Sequence, residues 1–354
     1  MSDAAKQQHE IIGVSDDKLF DFEYNPSPES EWFKKGKNLG LFIHFGLSSV
    51  NGKVDLSWGM MANKPYETMI GYNNYISPNE YFSLAEKFKP VNFEAETDKL
   101  LKKAKEMGCT YAVFTTKHHD GFAMWKSSVG DYNIGMYNDG MDLVEIFTRL
   151  CRKNGLKVGL YYSPPDWHVS RHNMSFNYTA PPYMGMDLEE LAEKPVMTDE
   201  VINNLVELVN TQILELITNY GRIDILWFDG VFKYLDRNVI SYKEIRKRQP
   251  QIIFTPRFYG YGDFKTFECR MPEEQPDGVW EHCDIWAEGP WWGYMEQSKT
   301  YKSAQWLIER YENVKKMNGN FLVNIGPKAD GSIPDIVYKR MDEVIEVNRR
   351  TADE

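Results

Sequence analysis

Short apolar runs alternate along this chain with longer segments in which apolar residues recur every three or four positions. The runs lie between glycine, proline or charged residues and predict β-strands at residues 40–45, 111–116, 158–162, 223–228, 252–255, 278–281 and 321–325. The periodic segments predict helices at residues 94–107, 143–154, 199–219, 239–248, 301–317 and 336–349. Strands that are apolar over their whole length are typical of a parallel sheet covered on both faces.

This alternation predicts an α/β protein whose parallel strands close into a (β/α)8-like TIM barrel, regular or irregular. A chain of 354 residues fits one such barrel. We expect a polar N-terminal leader over residues 1–30, packed on the outside, and a catalytic barrel over residues 31–354 without a C-terminal β-sandwich. An irregular stretch at residues 164–194 follows a strand and is expected to form an active-site loop.

Composition and charge exclude several classes of partner. The net charge of −11 argues against a nucleic-acid partner, because such surfaces need clustered Lys and Arg. The four cysteines show no CxxC spacing, which argues against a disulfide framework. The N-terminus lacks the apolar core of a secretory signal, and no run approaches the ~18 apolar residues of a membrane span. We therefore expect no membrane partner and no cofactor, and a soluble protein that is cytoplasmic, or periplasmic or secreted if a signal peptide was removed.

The candidate chemistry begins with Asp229, which follows the apolar run at residues 223–228. In parallel barrels, catalytic residues lie at the C-terminal ends of strands, so Asp229 is a candidate nucleophile. Glu268, Glu281 and Glu288 follow in a later loop and could complete the two-carboxylate arrangement of a glycosidase. Clustered tryptophans fit this interpretation because sugars stack on rings; the alternative is that Asp229 caps the next helix and the tryptophans belong to the core.

Five ordered motifs make a resemblance specific. GLFIHFGLSSV at residues 40–50, TKHHDGF at 116–122, GLYYS at 159–163, LWFDG at 226–230 and NFLVNIGP at 320–327 resemble α-L-fucosidases of glycoside hydrolase family 29 in sequence, order and spacing. The resemblance implies a barrel enzyme that removes terminal α-L-fucosyl groups from oligosaccharides or glycoconjugates with retention of configuration. It also implies that Asp229 is the nucleophile.

The resemblance also suggests roles for individual residues. The segment at residues 263–268 resembles the family loop that carries the acid/base, which favours Glu268 over Glu281 and Glu288. Residues matching sugar-binding or pocket-lining positions of the family are His44, Trp58, His118, His119, Tyr161, Trp227, Arg257 and Trp292. Neutral imidazoles can both donate to and accept from hydroxyls. A zinc site on these histidines is the alternative, but HxH and HExxH spacings are absent, so we expect no metal.

The chain departs from the family pattern at one candidate sugar contact. The family has a Glu-Trp-Tyr triplet where this sequence reads Ser57-Trp58-Gly59, so a carboxylate is lost unless Asp55 supplies it. Three alternatives therefore stay open beside the fucosidase: a catalytically weak or silent fucose-binding barrel, a related α-L-glycosidase acting on α-L-galactosides or substituted fucosides, and a metal-dependent hydrolase. Without a β-sandwich, a homo-oligomer is a further possibility.

Overall fold

The computed structural model describes residues 24–64, 74–179, 181–230 and 232–353. Eight parallel strands form one sheet: β1 (Leu39–Ile43), β2 (Cys109–Lys117), β3 (Lys157–Tyr162), β6 (Ile225–Phe228), β7 (Ile253–Phe254), β8 (Lys265–Glu268), β9 (Trp280–Ile285) and β10 (Asn320–Ile325). Their order is β7-β6-β3-β2-β1-β10-β9-β8. A short antiparallel pair, β4 (Tyr183–Met184) and β5 (Glu190–Leu191), lies in the predicted active-site loop.

Five longer helices lie between strands, α1 (Phe93–Glu106), α2 (Leu143–Lys153), α3 (Asp199–Thr218), α4 (Tyr242–Arg248) and α5 (Ala304–Lys316), and α6 (Asp335–Asp353) follows β10. Four of them begin at a side chain that accepts a hydrogen bond from a backbone N–H three residues later, which satisfies a donor that the helix leaves free; these residues are Asp142, Thr198, Ser241 and Ser303. Among the helices of the described part of the chain, none is long and apolar enough to cross a membrane.

Successive side chains along each strand point alternately to the two faces of the sheet, and the two sets form two separate hydrophobic cores. Leu41, Leu160 and Leu226 face outward and pack in the layer between sheet and helices. Side chains one position away, such as Phe42 and Trp227, fill the barrel interior. Because successive strand residues point to opposite faces, positions two residues beyond an inward-facing ring also point toward the barrel axis. His44 follows Phe42 by two residues and Asp229 follows Trp227 by two residues. Both side chains therefore point toward the barrel axis at the C-terminal ends of β1 and β6.

Hydrogen bonds from Asp263, the residue two positions before β8, connect the β8 end of the sheet to β7 in place of strand pairing. Asp263 donates its backbone N–H to Phe254 O at 2.9 Å, and its Oδ2 accepts the Phe254 N–H at 3.0 Å. Its Oδ1 accepts the N–H of Asn25 at 2.8 Å. The Asn25 side chain in turn donates to the carbonyls of Pro250 and Ile252, so residues near the described N-terminal end contact the barrel. Residues 1–23 of the predicted leader lie outside the described residues.

The predicted fold class is confirmed, and the seven predicted strands all overlap barrel strands. The prediction missed β8, because Lys265–Glu268 has no apolar run and is only partly buried. It also ended β9 too early. Residues 281–284 include Glu281, His282 and Asp284, which are charged or polar but buried, and the sequence pattern treats such residues as the end of a strand. The described part of the chain contains no β-sandwich.

Candidate active site

A cleft at the C-terminal ends of the barrel strands brings together ten residues that the sequence predicted for the site. Its lining consists of Phe42, His44, Trp58, His118, His119, Tyr161, Trp227, Asp229, Arg257, Glu268 and Trp292. Phe42 is the one lining residue not predicted, although its place two residues before His44 on β1 could have indicated it. The residues come from segments far apart in the chain, so the barrel topology assembles the cleft.

Arg257 joins two carboxylates on the floor of this cleft. Its Nη1 donates to Asp229 Oδ1 at 2.8 Å, and its Nη2 forms an ion pair with Glu268. Tyr161 donates its hydroxyl to the other oxygen, Asp229 Oδ2, at 2.6 Å. Burial alone would raise the pKa of Asp229, but the Arg257 charge and the hydrogen bond from Tyr161 hold it well below its usual range. Asp229 is therefore ionised across the working pH range of most enzymes.

Two further contacts fix the positions of these groups. The Arg257 guanidinium lies 4.8 Å from the centroid of the Trp227 ring, and this ring stacks on Tyr161 with centroids 5.6 Å apart. Gly230 has φ +87°, and a β-carbon there would lie 2.9 Å from Pro165 Cγ, so glycine allows the chain to turn sharply after Asp229.

Glu281 and Glu288, the alternative acid/base candidates, lie outside the cleft lining. Glu281 is fully buried in the barrel interior, where its oxygens accept hydrogen bonds from Tyr111 Oη at 2.6 Å and Trp227 Nε1 at 2.8 Å. Glu288 is exposed. Burial raises the pKa of Glu281 to about 7, although the hydrogen bonds from Tyr111 and Trp227 oppose the shift. Glu281 supports Trp227 from below and has no direct access to the cleft.

This burial leads to a prediction about stability. The raised pKa means that the folded state holds the Glu281 proton more tightly than the unfolded state, so wild-type stability is lost as the pH rises toward and past about 7. Glu281→Gln cannot ionise and should avoid this loss. Between about pH 5 and pH 8, urea denaturation should show its stability rising relative to wild type by roughly 3 kcal/mol. The exposed Glu288→Gln is the matched control, and an equal change in both variants would contradict the burial argument.

Each histidine of the cleft has its Nδ1 bound by a side chain from another segment. His44 Nδ1 lies 2.6 Å from Asn324 Oδ1, His119 Nδ1 lies 2.6 Å from Ser163 Oγ, and His118 Nδ1 contacts Ser57 Oγ. The sequence analysis did not single out Asn324 or Ser163, although both lie within the recognised motifs. Since one nitrogen of each ring is already engaged, the other is left for a ligand.

Two of the tautomers follow from the partners. Asn324 donates its amide to Trp292 O at 2.7 Å, so its Oδ1 must accept from His44 Nδ1–H. Ser163 donates to Pro165 O at 3.2 Å and so accepts from His119 Nδ1–H. Both rings then carry a lone pair on Nε2. His119 Nε2 is buried without a hydrogen-bond partner among the described residues and lies 3.7 Å from Asp229 Oδ2.

Burial keeps all three imidazoles neutral at neutral pH. It lowers the pKa of His44 and of His119 to about 4, and it lowers the pKa of His118 well below its usual value. The neighbouring Asp229 carboxylate opposes the shift in each case, but burial dominates. The cleft therefore offers neutral hydrogen-bonding groups beside an ionised carboxylate.

Ser57 stands where the family has a glutamate, and Asp55 was the residue expected to replace that carboxylate. Neither side chain lines the cleft. Ser57 is fully buried and contacts the far side of the His118 ring. Asp55 accepts the backbone N–H groups of Trp292 at 3.1 Å and Gly293 at 2.8 Å. Both side chains position residues of the cleft. Ser57 contacts His118, and Asp55 binds the backbone of the segment that carries Trp292.

Three residues of the cleft have the spacing of metal ligands. His118, His119 and Asp229 each offer a ligand atom, and these atoms lie within 4.8 Å of one another. However, Asp229 already accepts from Arg257 and Tyr161, and the guanidinium would repel a cation bound at this carboxylate. The Arg257 charge therefore opposes a metal ion bound at Asp229.

A parallel barrel whose strand ends carry paired carboxylates, neutral imidazoles and aromatic rings in one cleft defines a glycoside hydrolase of the barrel class. The family model described as Alpha-L-fucosidase matches residues 20–347. The chain belongs to the alpha-L-fucosidase family, glycoside hydrolase family 29.

Comparisons with individual relatives and solved structures agree with this family assignment. The tissue alpha-L-fucosidase of Mus musculus is 26% identical over 336 residues, which cover 89% of this chain and 68% of the relative. Among solved structures, alpha-L-fucosidase isoenzyme 1 from Paenibacillus thiaminolyticus has a TM-score of 0.72 at 29% identity, covering 92% of this chain and 76% of its own. A variant of the alpha-L-fucosidase AlfC in complex with Fuca(1,6)GlcNAc has a TM-score of 0.72 at 25% identity, covering 93% of this chain and 100% of its own.

Proposed function

We propose that this protein is a retaining exo-α-L-fucosidase that hydrolyses terminal α-L-fucosyl linkages, with Asp229 as nucleophile and Glu268 as acid/base. The observation that carries the proposal is the bridge made by Arg257, which contacts both carboxylates within one cleft. In retaining glycosidases the two carboxyl groups are about 5–5.5 Å apart, and two groups held by the two ends of one guanidinium fit such a separation. Family membership supports the sugar.

The first step would transfer the fucosyl group to the protein. Asp229 attacks the anomeric carbon and forms a glycosyl ester while Glu268 gives its proton to the departing oxygen. In the second step, Glu268 removes a proton from water, which displaces Asp229 and restores the starting state. Because one guanidinium serves both carboxylates, loss of negative charge on Asp229 leaves Arg257 free to stabilise the ionised Glu268 that the second step needs.

The imidazoles would recognise the sugar hydroxyls. The lone pair of His119 Nε2 and the carboxylate oxygen of Asp229 cannot hydrogen-bond to each other, but a hydroxyl between them can donate to either. His44 Nε2 offers a second acceptor. A buried acceptor without a partner, such as His119 Nε2, costs free energy, and a ligand hydroxyl that donates to it removes that cost.

Turnover of 4-nitrophenyl α-L-fucoside tests the proposal, with NMR identification of the first sugar anomer released. Release of the α anomer supports a retaining fucosidase. Release of the β anomer rejects the double displacement, and binding of fucose without turnover supports the silent barrel. Activity that is lost on treatment with a chelator and regained with a divalent metal supports the metal-dependent hydrolase instead.

Ser57 provides a further prediction. Ser57→Ala should leave His118 Nδ1 without its partner, so the ring loses its fixed orientation and KM for the fucoside rises about two- to tenfold. Ser57→Thr keeps the hydroxyl and should restore most of the affinity.

Ser49→Ala is the matched control, because Ser49 is also buried near the end of β1 but donates to the Gly46 carbonyl. If Ser57→Ala and Ser49→Ala have the same KM as wild type, Ser57 does not position His118.

A further inference from the structure

The proposed acid/base, Glu268, is the last residue of β8, a short strand at one end of the sheet order. Among the described residues, β8 pairs only with β9, and on its other side the hydrogen bonds between Asp263 and Phe254 take the place of strand pairing. Directly after Glu268, Cys269 has φ +54°, so the chain turns away from the sheet. A proton donor at the end of a short edge strand depends on the contacts that hold its backbone.

Contacts with β9 hold the backbone on both sides of Glu268. The N–H of Cys269, the following residue, donates to Cys283 O at 2.9 Å. The carbonyl oxygen of Phe267, the preceding residue, lies 3.0 Å from Nδ1 of His282. The first contact joins two backbones and is ordinary strand pairing. The second uses a side chain, so it depends on which residue stands at position 282.

His282 is itself fixed by its surroundings. Its side chain is completely buried, and its ring stacks on Phe321 with the centroids 5.6 Å apart. Its Nε2 lies 3.3 Å from Asp284 Oδ2. Burial alone would raise the pKa of Asp284, but the hydrogen bond from His282 and the charge of Lys302, 3.1 Å away, hold it below its usual value. The Asp284 carboxylate is therefore ionised and can only accept hydrogen bonds.

Both ring nitrogens of His282 thus face oxygen atoms that only accept. Nδ1 faces the Phe267 carbonyl and Nε2 faces the Asp284 carboxylate, so each contact is a hydrogen bond only when its nitrogen carries hydrogen. Since Lys302 lies outside β8 and binds the same carboxylate, the ring is anchored independently of the strand that it contacts. The arrangement presents Nδ1–H of His282 to the backbone next to Glu268.

We propose that His282 is a positioning residue that places Glu268 against the departing oxygen by holding the Phe267 carbonyl. The inference rests on the proposed function, because it needs Glu268 to be the proton donor. His282 does not line the cleft and packs on the outer face of the sheet with Phe321, so it acts through β8 alone. Proton transfer needs a donor within about 2.6–3.2 Å of its acceptor, and a displacement of about 1 Å can cost about 10² in rate.

Two amide variants separate the two nitrogens of the ring. The amide nitrogen of Asn stands near the place of Nδ1, so His282→Asn keeps a donor for Phe267 O. The amide nitrogen of Gln stands near the place of Nε2, so His282→Gln keeps only the contact with Asp284. The two variants therefore form a matched pair in which each loses one of the two hydrogen bonds.

The measurement is kcat/KM for methyl and for dinitrophenyl α-L-fucoside, because this constant includes no step after the first bond cleavage. His282→Gln should lower the value for the methyl compound, which needs a proton, by about ten- to a hundredfold. The value for the dinitrophenyl compound, which leaves without a proton, should fall by less than about threefold. His282→Asn should keep both values within about threefold of wild type.

Each other result identifies what is wrong. If His282→Gln slows both substrates equally, or neither, the positioning role is overturned, because a general loss of packing cannot distinguish leaving groups. Glu268→Ala is measured beside it: if that variant does not separate the two substrates, the acid/base assignment fails, and the positioning role fails with it. If His282→Gln does not fold, His282→Met, which fills a buried space without a donor, is measured in its place and judged by the same criteria.

Discussion

Replacing Asp229 with glycine is expected to lower kcat for 4-nitrophenyl α-L-fucoside by about a thousandfold or more, while the protein remains folded. The carboxylate supplies the electron pair that attacks the anomeric carbon, and neither His119 nor Tyr161 can replace it as a leaving group in the second step. The fold should survive because Arg257 keeps its ion pair with Glu268 when Asp229 is removed.

Azide should partly restore activity in Asp229→Gly. The small anion can occupy the space left by the carboxylate, and a single displacement then yields β-L-fucosyl azide, of opposite anomeric configuration to the substrate. Asp224→Ala is the control, because Asp224 is buried immediately before the other end of β6 and pairs with Arg222. This variant is expected to lose stability without gaining any response to azide. An Asp229→Gly protein with a tenth of the wild-type rate would disprove the nucleophile assignment.

The position of Asp229 could be predicted because it depends on local patterns. An apolar run identifies β6, alternation fixes the inward face, and the first polar residue beyond the run stands at the C-terminal edge. His44 lies within the predicted strand at residues 40–45, so only the family resemblance indicated it as a site residue. The motifs added His118, His119, Tyr161 and Trp227, and other matches to the family added Trp58, Arg257, Glu268 and Trp292; the structure brings all eight to the one cleft.

The residues that position the cleft side chains could not be predicted, because each of them contacts a residue far away in the sequence. Ser57 contacts a histidine 61 residues away, and Asn324 one 280 residues away, so no local spacing indicates either pair. Glu281 was ambiguous for a different reason. A glutamate beside a strand is usually exposed, and only the arrangement of Tyr111 and Trp227 around it makes a buried position tolerable. The contacts of the histidines with side chains such as Asn324 and Ser163 fix the tautomers of His44 and His119, and local sequence patterns do not show these contacts.

Glu268→Ala is expected to separate substrates by the basicity of their leaving groups. An alkyl fucoside leaves as a strongly basic alkoxide unless a proton arrives, so its kcat/KM should fall by about 10²–10⁴. A dinitrophenyl fucoside leaves without a proton, and its first step should slow by no more than about tenfold. Glu281→Gln and Glu288→Gln serve as controls, because one residue lies in the barrel interior and the other on the surface.

The pH dependence should change in the same variant. In wild type, the alkaline decline of kcat/KM for the alkyl fucoside should follow deprotonation of the acid, and it should disappear in Glu268→Ala. The three imidazoles should not contribute a second transition near neutrality, because burial lowers the pKa of His44 and His119 to about 4. If Glu281→Gln loses the alkyl substrate selectively while Glu268→Ala keeps it, the assignment of the acid/base to Glu268 is wrong, and Glu268 would be only a partner of Arg257.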